Sequence, residues 1–281
     1  MIPLPPLSEQ KRIVEKVDRL MKEVDGLEEA EQALTTLKKE FPGDLRASIL
    51  QAAIQGRLTH RAAEDGDART LLEEIQKEKE KLIKEKKIKK QKPLPPITED
   101  EIPFDIPDNW CWVRLGVIAQ SIQYGYNAPA LEKGAIKMVR ISDIQNGHVV
   151  WDKVPFCNID EKEINSYLLQ KNDILFARTG GTVGKSFLVN DIPERAIYAG
   201  YLIRTRYGAM LSSQYLKYFM ESPLYWEQLA SGIIATAQPN CNGTKLAKML
   251  VPLPPLSEQK RIVEKVGLLM KEVDSLLAAG T

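Results

Sequence analysis

The chain has 281 residues, with 39 Lys+Arg against 38 Asp+Glu and a formal net charge of +1. A hydrophobic fraction of 43% beside 27% charged residues describes a globular chain long enough for a sizeable core in one or two domains. The charge balance excludes a simple polycation that coats nucleic acid, while leaving room for local basic surfaces.

The N-terminus, Met1-Ile2-Pro3-Leu4-Pro5-Pro6, lacks the basic and apolar regions of a signal peptide. No apolar run approaches the ~20 residues of a membrane span. Residues 3–25 read PLPPLSEQKRIVEKVDRLMKEVD, and 252–274 repeat them with changes only at Asp18/Gly267 and Arg19/Leu268. One element is thus used twice, on either side of a dissimilar middle. Pro5-Pro6 and Pro254-Pro255 make an extended entry. Ser8 and Ser257 are N-cap candidates, with Glu9 and Glu258 in the first turn. Ile13, Val17, Leu20, Val24 and Leu27 then recur at spacings 4, 3, 4, 3, as do Ile262, Val266, Leu269, Val273 and Leu276. That is a two-per-heptad seam. It suits packing on the helix's own domain or pairing between helices, and the duplication favours pairing, with each other or with a second chain.

The first seam helix is expected over 8–40, stopped by Pro42-Gly43. Leu45, Ile49, Ala52 and Ala53 mark a second helix over 44–58, and Leu71, Leu72, Ile75, Leu82 and Ile83 a third over 68–90. From Lys77 to Lys92 there are nine Lys against three Glu. Such a run reads as a solvated face or linker, or as a contact for phosphate or an acidic partner.

From about Pro103 short segments with turn signals replace helical periodicity. Strands are expected at 110–115, 136–141, 173–178, 186–189 and 198–204, a turn at Asn146-Gly147, and helices at 213–221 and 224–230. The expected fold class is α+β: a mixed α/β central domain of mostly short strands, flanked by long helices forming a coiled coil. The divisions are 1–97, 98–250 and 251–281, the last repeating residues 2–25.

Thr179-Gly180-Gly181-Thr182-Val183-Gly184-Lys185-Ser186 superficially matches a phosphate loop. Thr179 occupies the position that needs the first glycine, and Ser186-Phe187-Leu188-Val189 reads as a strand where a helix N-terminus is required. A glycine-rich hairpin is the better reading. Cys111, Cys157 and Cys241 form no CxxC pair, and His60 and His148 are the only histidines, so no local zinc set arises. These thiols suit burial in a reducing, cytoplasmic setting. No catalytic constellation assembles, so this chain is not expected to be an enzyme, to hold a metal or to carry its own cofactor.

Pro-Leu-Pro-Pro-Leu-Ser-Glu-Gln-Lys-Arg-Ile-Val at 3–14 and 252–263 resembles the hallmark of the specificity (S) subunits of type I restriction-modification systems. Trp112–Gly116 resembles the start of their target recognition domain, Lys171–Lys185 its glycine-turn core, and Tyr215–Phe219 the following helix. The resemblance covers essentially the whole chain. It implies a DNA-reading subunit without catalytic activity, whose methyltransferase (M) partners bind S-adenosylmethionine and are joined by motor-nuclease (R) subunits. A full-length member carries two recognition domains separated by paired helices, each domain reading half of a bipartite site on double-stranded DNA. Here the order is conserved region, one recognition domain, conserved region, so the chain resembles a half-subunit, natural or truncated. The expectation is a homodimer, with no membrane partner.

Base-reading residues do not carry over from the family. Candidates from the residues alone are Tyr124, Tyr126 and Asn127 near Gly125, Lys137 and Arg140 on one strand, Arg178, Thr179 and Lys185 around the glycine turn, and Gln238, Asn240, Asn242 and Lys245 in a polar loop. Arg suits guanine and Asn/Gln adenine, while Lys suits phosphate. The rival is a coiled-coil adaptor whose central domain binds protein.

Overall fold

A computed structural model describes residues 3–279, apart from Asn146 and residues 233–240. The chain divides into two compact units, residues 1–46 with 273–281, and residues 47–272.

The first unit contains most of helix α1 (Leu7–Ile54) and the end of helix α8 (Leu256–Ala279). The expected stop at Pro42 does not occur, since Pro42 lies inside α1. Proline removes one backbone donor and crowds the preceding turn at a cost of ~3 kcal/mol. Lys38-Lys39-Glu40 before it and Leu45-Arg46 beyond Gly43-Asp44 are good helix formers, and the helix continues through the break between them. The helices foreseen as 8–40 and 44–58 are therefore one. Arg46 pairs with Asp274 within this unit.

The second unit begins in the last turns of α1. Gly56 at φ +69° ends the helix, with Gly56 N donating to Ala53 O and Arg57 N to Ala52 O. This is a Schellman stop, which glycine adopts without strain. Helix α2 (Ala68–Lys84) is capped by the Asp67 carboxylate accepting from Arg69 N, and ends six residues short of the expected 90. Strand β1 (Cys111–Arg114) pairs antiparallel with β11 (Leu250–Leu253), so the second repeat copy enters through a strand. A short helix α3 (Leu115–Ile118) follows β1.

The remaining strands are β2 (Ser121–Tyr124), β3 (Ile136–Val139), β4 (Ile144–Gln145), β5 (His148–Val149), β6 (Phe156–Cys157), β7 (Ile174–Ala177), β8 (Ser186–Leu188), β9 (Ala196–Tyr198) and β10 (Leu202–Arg206). They form sheets ordered β2-β10-β7-β8, β6-β3-β9 and β4-β5. Helices α4 (Glu161–Tyr167), α5 (Ser213–Phe219), α6 (Pro223–Gly232) and α7 (Gly243–Lys248) complete the unit. The single strand expected at 198–204 is two, because Ala199-Gly200-Tyr201 turns the chain from β9 into β10. Lys185 leads into β8, which pairs antiparallel with β7, so the glycine segment is a hairpin.

The two repeat copies differ sharply in their surroundings. Ile262 and Val266 are fully buried in a core with Leu50, Ile54 and Trp110. Ile13 and Val17, their counterparts, are 49% and 48% exposed, and Leu20, Val24 and Leu27 are exposed too. Leu269 is half-buried, Val273 buried and Leu276 exposed. Neither serine caps its helix. Both helices begin one residue earlier, and Gln10 Nε2 and Gln259 Nε2 reach back to Pro5 O and Pro254 O at 2.8 and 2.9 Å. Ser257 instead donates to Asp65 at 2.8 Å.

Candidate functional site

The C-terminal ends of β2 and β7 and the start of β10 lie at one end of the four-stranded sheet, as the pairs Tyr124↔Ile203 and Ala177↔Leu202 require. Four loops meet there. Arg178, the residue after β7, sets its guanidinium 4.7 Å from the centre of the Tyr124 ring. A guanidinium over an aromatic face is attracted by the ring quadrupole. The Arg178 carbonyl accepts from Cys241 N at 3.0 Å, and its amide donates to Tyr201 O at 3.2 Å. Tyr124 Oη accepts from Gly243 N at 2.8 Å, next to Asn242, whose side chain caps α7 by accepting from Lys245 N.

The Tyr126-Asn127 segment joins through Gly200. Tyr126 bridges Ala199, and Gly200 N donates to Tyr126 O at 2.9 Å. A Cβ at Gly200 would come within 1.8 Å of Asn127 Oδ1, so a side chain here would push the Asn127 amide aside. Tyr126 also packs edge-on against Tyr167, with centroids 5.2 Å apart.

The Arg178 side chain makes one long hydrogen bond, to Gly200 O at 3.5 Å, and its Nε is buried without a partner among the described residues. A guanidinium held by ring contact and weakly hydrogen-bonded retains donors for a ligand. At the opposite end of the same sheet, Arg206 grips the buried Asp173 at 2.6 and 2.7 Å, and in mid-strand Arg204 reaches Leu168 O at 2.9 Å and Gln123 Oε1 at 2.5 Å. Burial lowers the Arg204 pKa, opposed by Tyr198 and Asp173 nearby. These arginines tie the sheet together at its middle and far end, away from the loops.

The candidates therefore separate. Tyr124, Tyr126, Asn127, Arg178, Thr179 and Asn242 come together at this end, with Lys245 one turn into α7. Lys185 is exposed at the same end of the sheet but one strand over, at the foot of β8, where its carbonyl accepts from Ala177 N. Lys137 and Arg140 belong elsewhere, on and after β3. Lys137 pairs with Glu194 at 2.6 Å and donates to Trp151 O, and Arg140 binds Asp143 through two nitrogens. Both charges have protein partners and lie apart from this loop cluster. Gln238 and Asn240 lie outside the described residues. Tyr201, 67% exposed at the β9–β10 turn, was missed. The signal was Gly200 inside an apparent strand, which marks a break.

The three cysteines are free thiols, and burial pushes Cys111 and Cys241 up to about 11. No group of three or more His, Cys, Asp or Glu suited to a metal ion occurs among the described residues. No described helix is long and apolar enough to cross a membrane.

Residues 107–275 match the family model for the type I restriction modification DNA specificity domain. Curated relatives include the type I restriction enzyme EcoAI specificity subunit of Escherichia coli, 29% identical over 98% of this chain and 54% of that protein. The EcoEI specificity subunit, also from Escherichia coli, is 27% identical over the same shares. The chain spans about half the length of these curated relatives. Two solved structures share the fold. The HsdS subunit from Thermoanaerobacter tengcongensis aligns at TM-score 0.52 and 23% identity, over 100% of this chain and 55% of that one. A chain from the work on complex assembly and conformational transition of the type I R-M system aligns at 0.55 and 23%, over 99% and 55%.

Proposed function

The chain belongs to the type I restriction-modification DNA specificity family, and from that premise we propose that its loop cluster reads one half of a bipartite duplex site. The observation that carries this is the Arg178–Tyr124 pair, where a braced guanidinium keeps donors available beside Asn127, Tyr201 and Asn242. Arginine reads the guanine edge in a bidentate fashion, and asparagine reads adenine. The recognition domain takes the span 98–250, between the helical regions 1–97 and 251–281. The chain is a non-catalytic specificity subunit, directing methyltransferase subunits that bind S-adenosylmethionine, and motor-nuclease subunits, to that site inside the cell.

Two chains would supply two recognition domains. The exposed seam Ile13, Val17, Leu20, Val24 and Leu27 supports helix pairing with a second copy.

The test is selection of bound duplexes from a randomised library, with and without methyltransferase subunits. Enrichment of a defined sequence is expected. Arg178→Ala should lower the preference at one or two positions by ~10–100-fold, the range of one lost bidentate pair. An unaltered preference would remove Arg178 from the assignment, and no enrichment under either condition would favour the protein-binding adaptor.

A further inference from the structure

The lysines that follow helix α2 form a strap tied down one short helix away from the reading loops. The helix stops at Lys84, Lys86 takes a left-handed conformation at φ +56°, and residues 89–98 carry no regular secondary structure. Both ends are tied to one place. Lys79 Nζ donates to Gly116 O and Val117 O in α3, at 3.0 and 2.7 Å. Beyond the lysines, the buried Arg114 side chain donates to Pro95 O and Pro96 O at 2.8 and 2.9 Å and to the Glu101 carboxylate at 2.7 Å. Leu94 packs on Gly116, where an added Cβ would lie 2.9 Å from its Cδ1.

Between these ties, Lys84, Lys86, Lys87, Lys89, Lys90 and Lys92 are all exposed. Among the described residues only Lys87 has an ion pair, with Glu85 at 2.7 Å. Six like charges within nine residues repel one another, and fixing the segment at both ends adds to that cost. A connection from α2 to β1 requires none of them.

The strap adjoins the site through α7. Arg114 also donates to Lys248 O at the end of α7, and Gly243 N at its start donates to Tyr124 Oη. Six helical residues span about 9 Å, less than three base steps of a duplex.

We propose that this strap is a phosphate-contacting surface for duplex DNA beside the half-site. Resting on the DNA-reading function above, it adds a sequence-independent contact to a sequence-reading one. Ammonium groups on flexible stems suit phosphate as point charges and carry no base preference.

The test compares the full chain with a variant carrying Lys→Gln at positions 84, 86, 87, 89, 90 and 92, on the enriched duplex and on an unrelated one. Each phosphate contact adds ~0.9 to the slope of log affinity against log salt. The variant is expected to lose about 3–5 from that slope, with affinity for both duplexes falling by the same factor and the preferred sequence unchanged. Arg178→Ala should do the reverse, losing preference and keeping most of the slope. An unaltered slope overturns the strap, including the case where the variant instead loses capture of methyltransferase subunits, which would mark an acidic protein partner. Sequence enrichment by the unmodified chain keeps the reading function standing whatever the strap does. No DNA binding by that chain, alone or with methyltransferase subunits, removes both.

Discussion

At the residue scale, partners distant in the chain decide what each charged side chain is free to do. Arg140 and Lys137 had the right chemistry for DNA, but Asp143 and Glu194 claim them. The Arg178–Tyr124 contact joins residues 54 apart, and no local pattern announces it. Asp65 shows the same long reach. Its side chain accepts from Arg261 at 2.5 and 2.6 Å, from Ser257 at 2.8 Å and from Ala62 N at 2.8 Å. The Arg261 guanidinium, first among these, holds the carboxyl well below the usual carboxylate range, against a smaller desolvation effect. A depressed folded pKa makes the contribution fully present above the unfolded value of about 4, and it fades as pH falls through the folded value. Asp65→Asn should destabilise the domain at pH 7 by about 1–3 kcal/mol, toward the lower end because Arg261 is partly exposed. Denaturant titrations of both proteins should show that gap constant down to about pH 4 and shrinking below. A gap independent of pH to the lowest accessible value would remove Asp65 from the acid response.

At the element scale, periodicity located helices and strands well wherever the period was unbroken, as in α2, α5, β1 and β7. It failed at Pro42, where helix formers on either side carried α1 through a local breaker, and where a glycine split one apolar run into β9 and β10. The sheet order β2-β10-β7-β8 was beyond reach, because it depends on which distant strands bury which faces. The repeat carries the sharpest lesson. Glu258 is buried and accepts from Trp110 Nε1 at 2.8 Å and from Thr59 Oγ1 at 3.2 Å, whereas its counterpart Glu9 is exposed. One sequence thus serves as a domain anchor in the second copy and as an open surface in the first. Val266→Asp should unfold the second unit, since an unpaired charge replaces a fully buried apolar group. Leu20→Asp, at a 45% exposed position, should leave melting of the dilute chain within about 0.5 kcal/mol of the parent and weaken self-association. Paired thermal melts and sedimentation runs separate the two. Equal loss of folding in both variants would mean that the first copy is also anchored within its own chain.

At the scale of the whole molecule, the +1 balance hides an uneven distribution. Residues 1–97 carry a net +2, residues 98–250 a net −1, and the remainder none. The reading domain is therefore not basic overall. On the proposed function, affinity for DNA would come from local contacts and from the number of domains engaged at once. A second copy paired through the open seam, as proposed, would raise that number to two, and a closed pair of identical chains has a two-fold axis. In such a pair each half-site would meet the same loops in the opposite sense, so the halves would be identical and inverted. Sedimentation of the full chain should show a concentration-dependent shift toward a dimer, abolished by Leu20→Asp. Mapping of the methylated site formed with methyltransferase subunits should give an inverted repeat around a gap. A monomer at every concentration would defeat the pairing, and a site with unrelated halves would mean that the second half is read by a different domain.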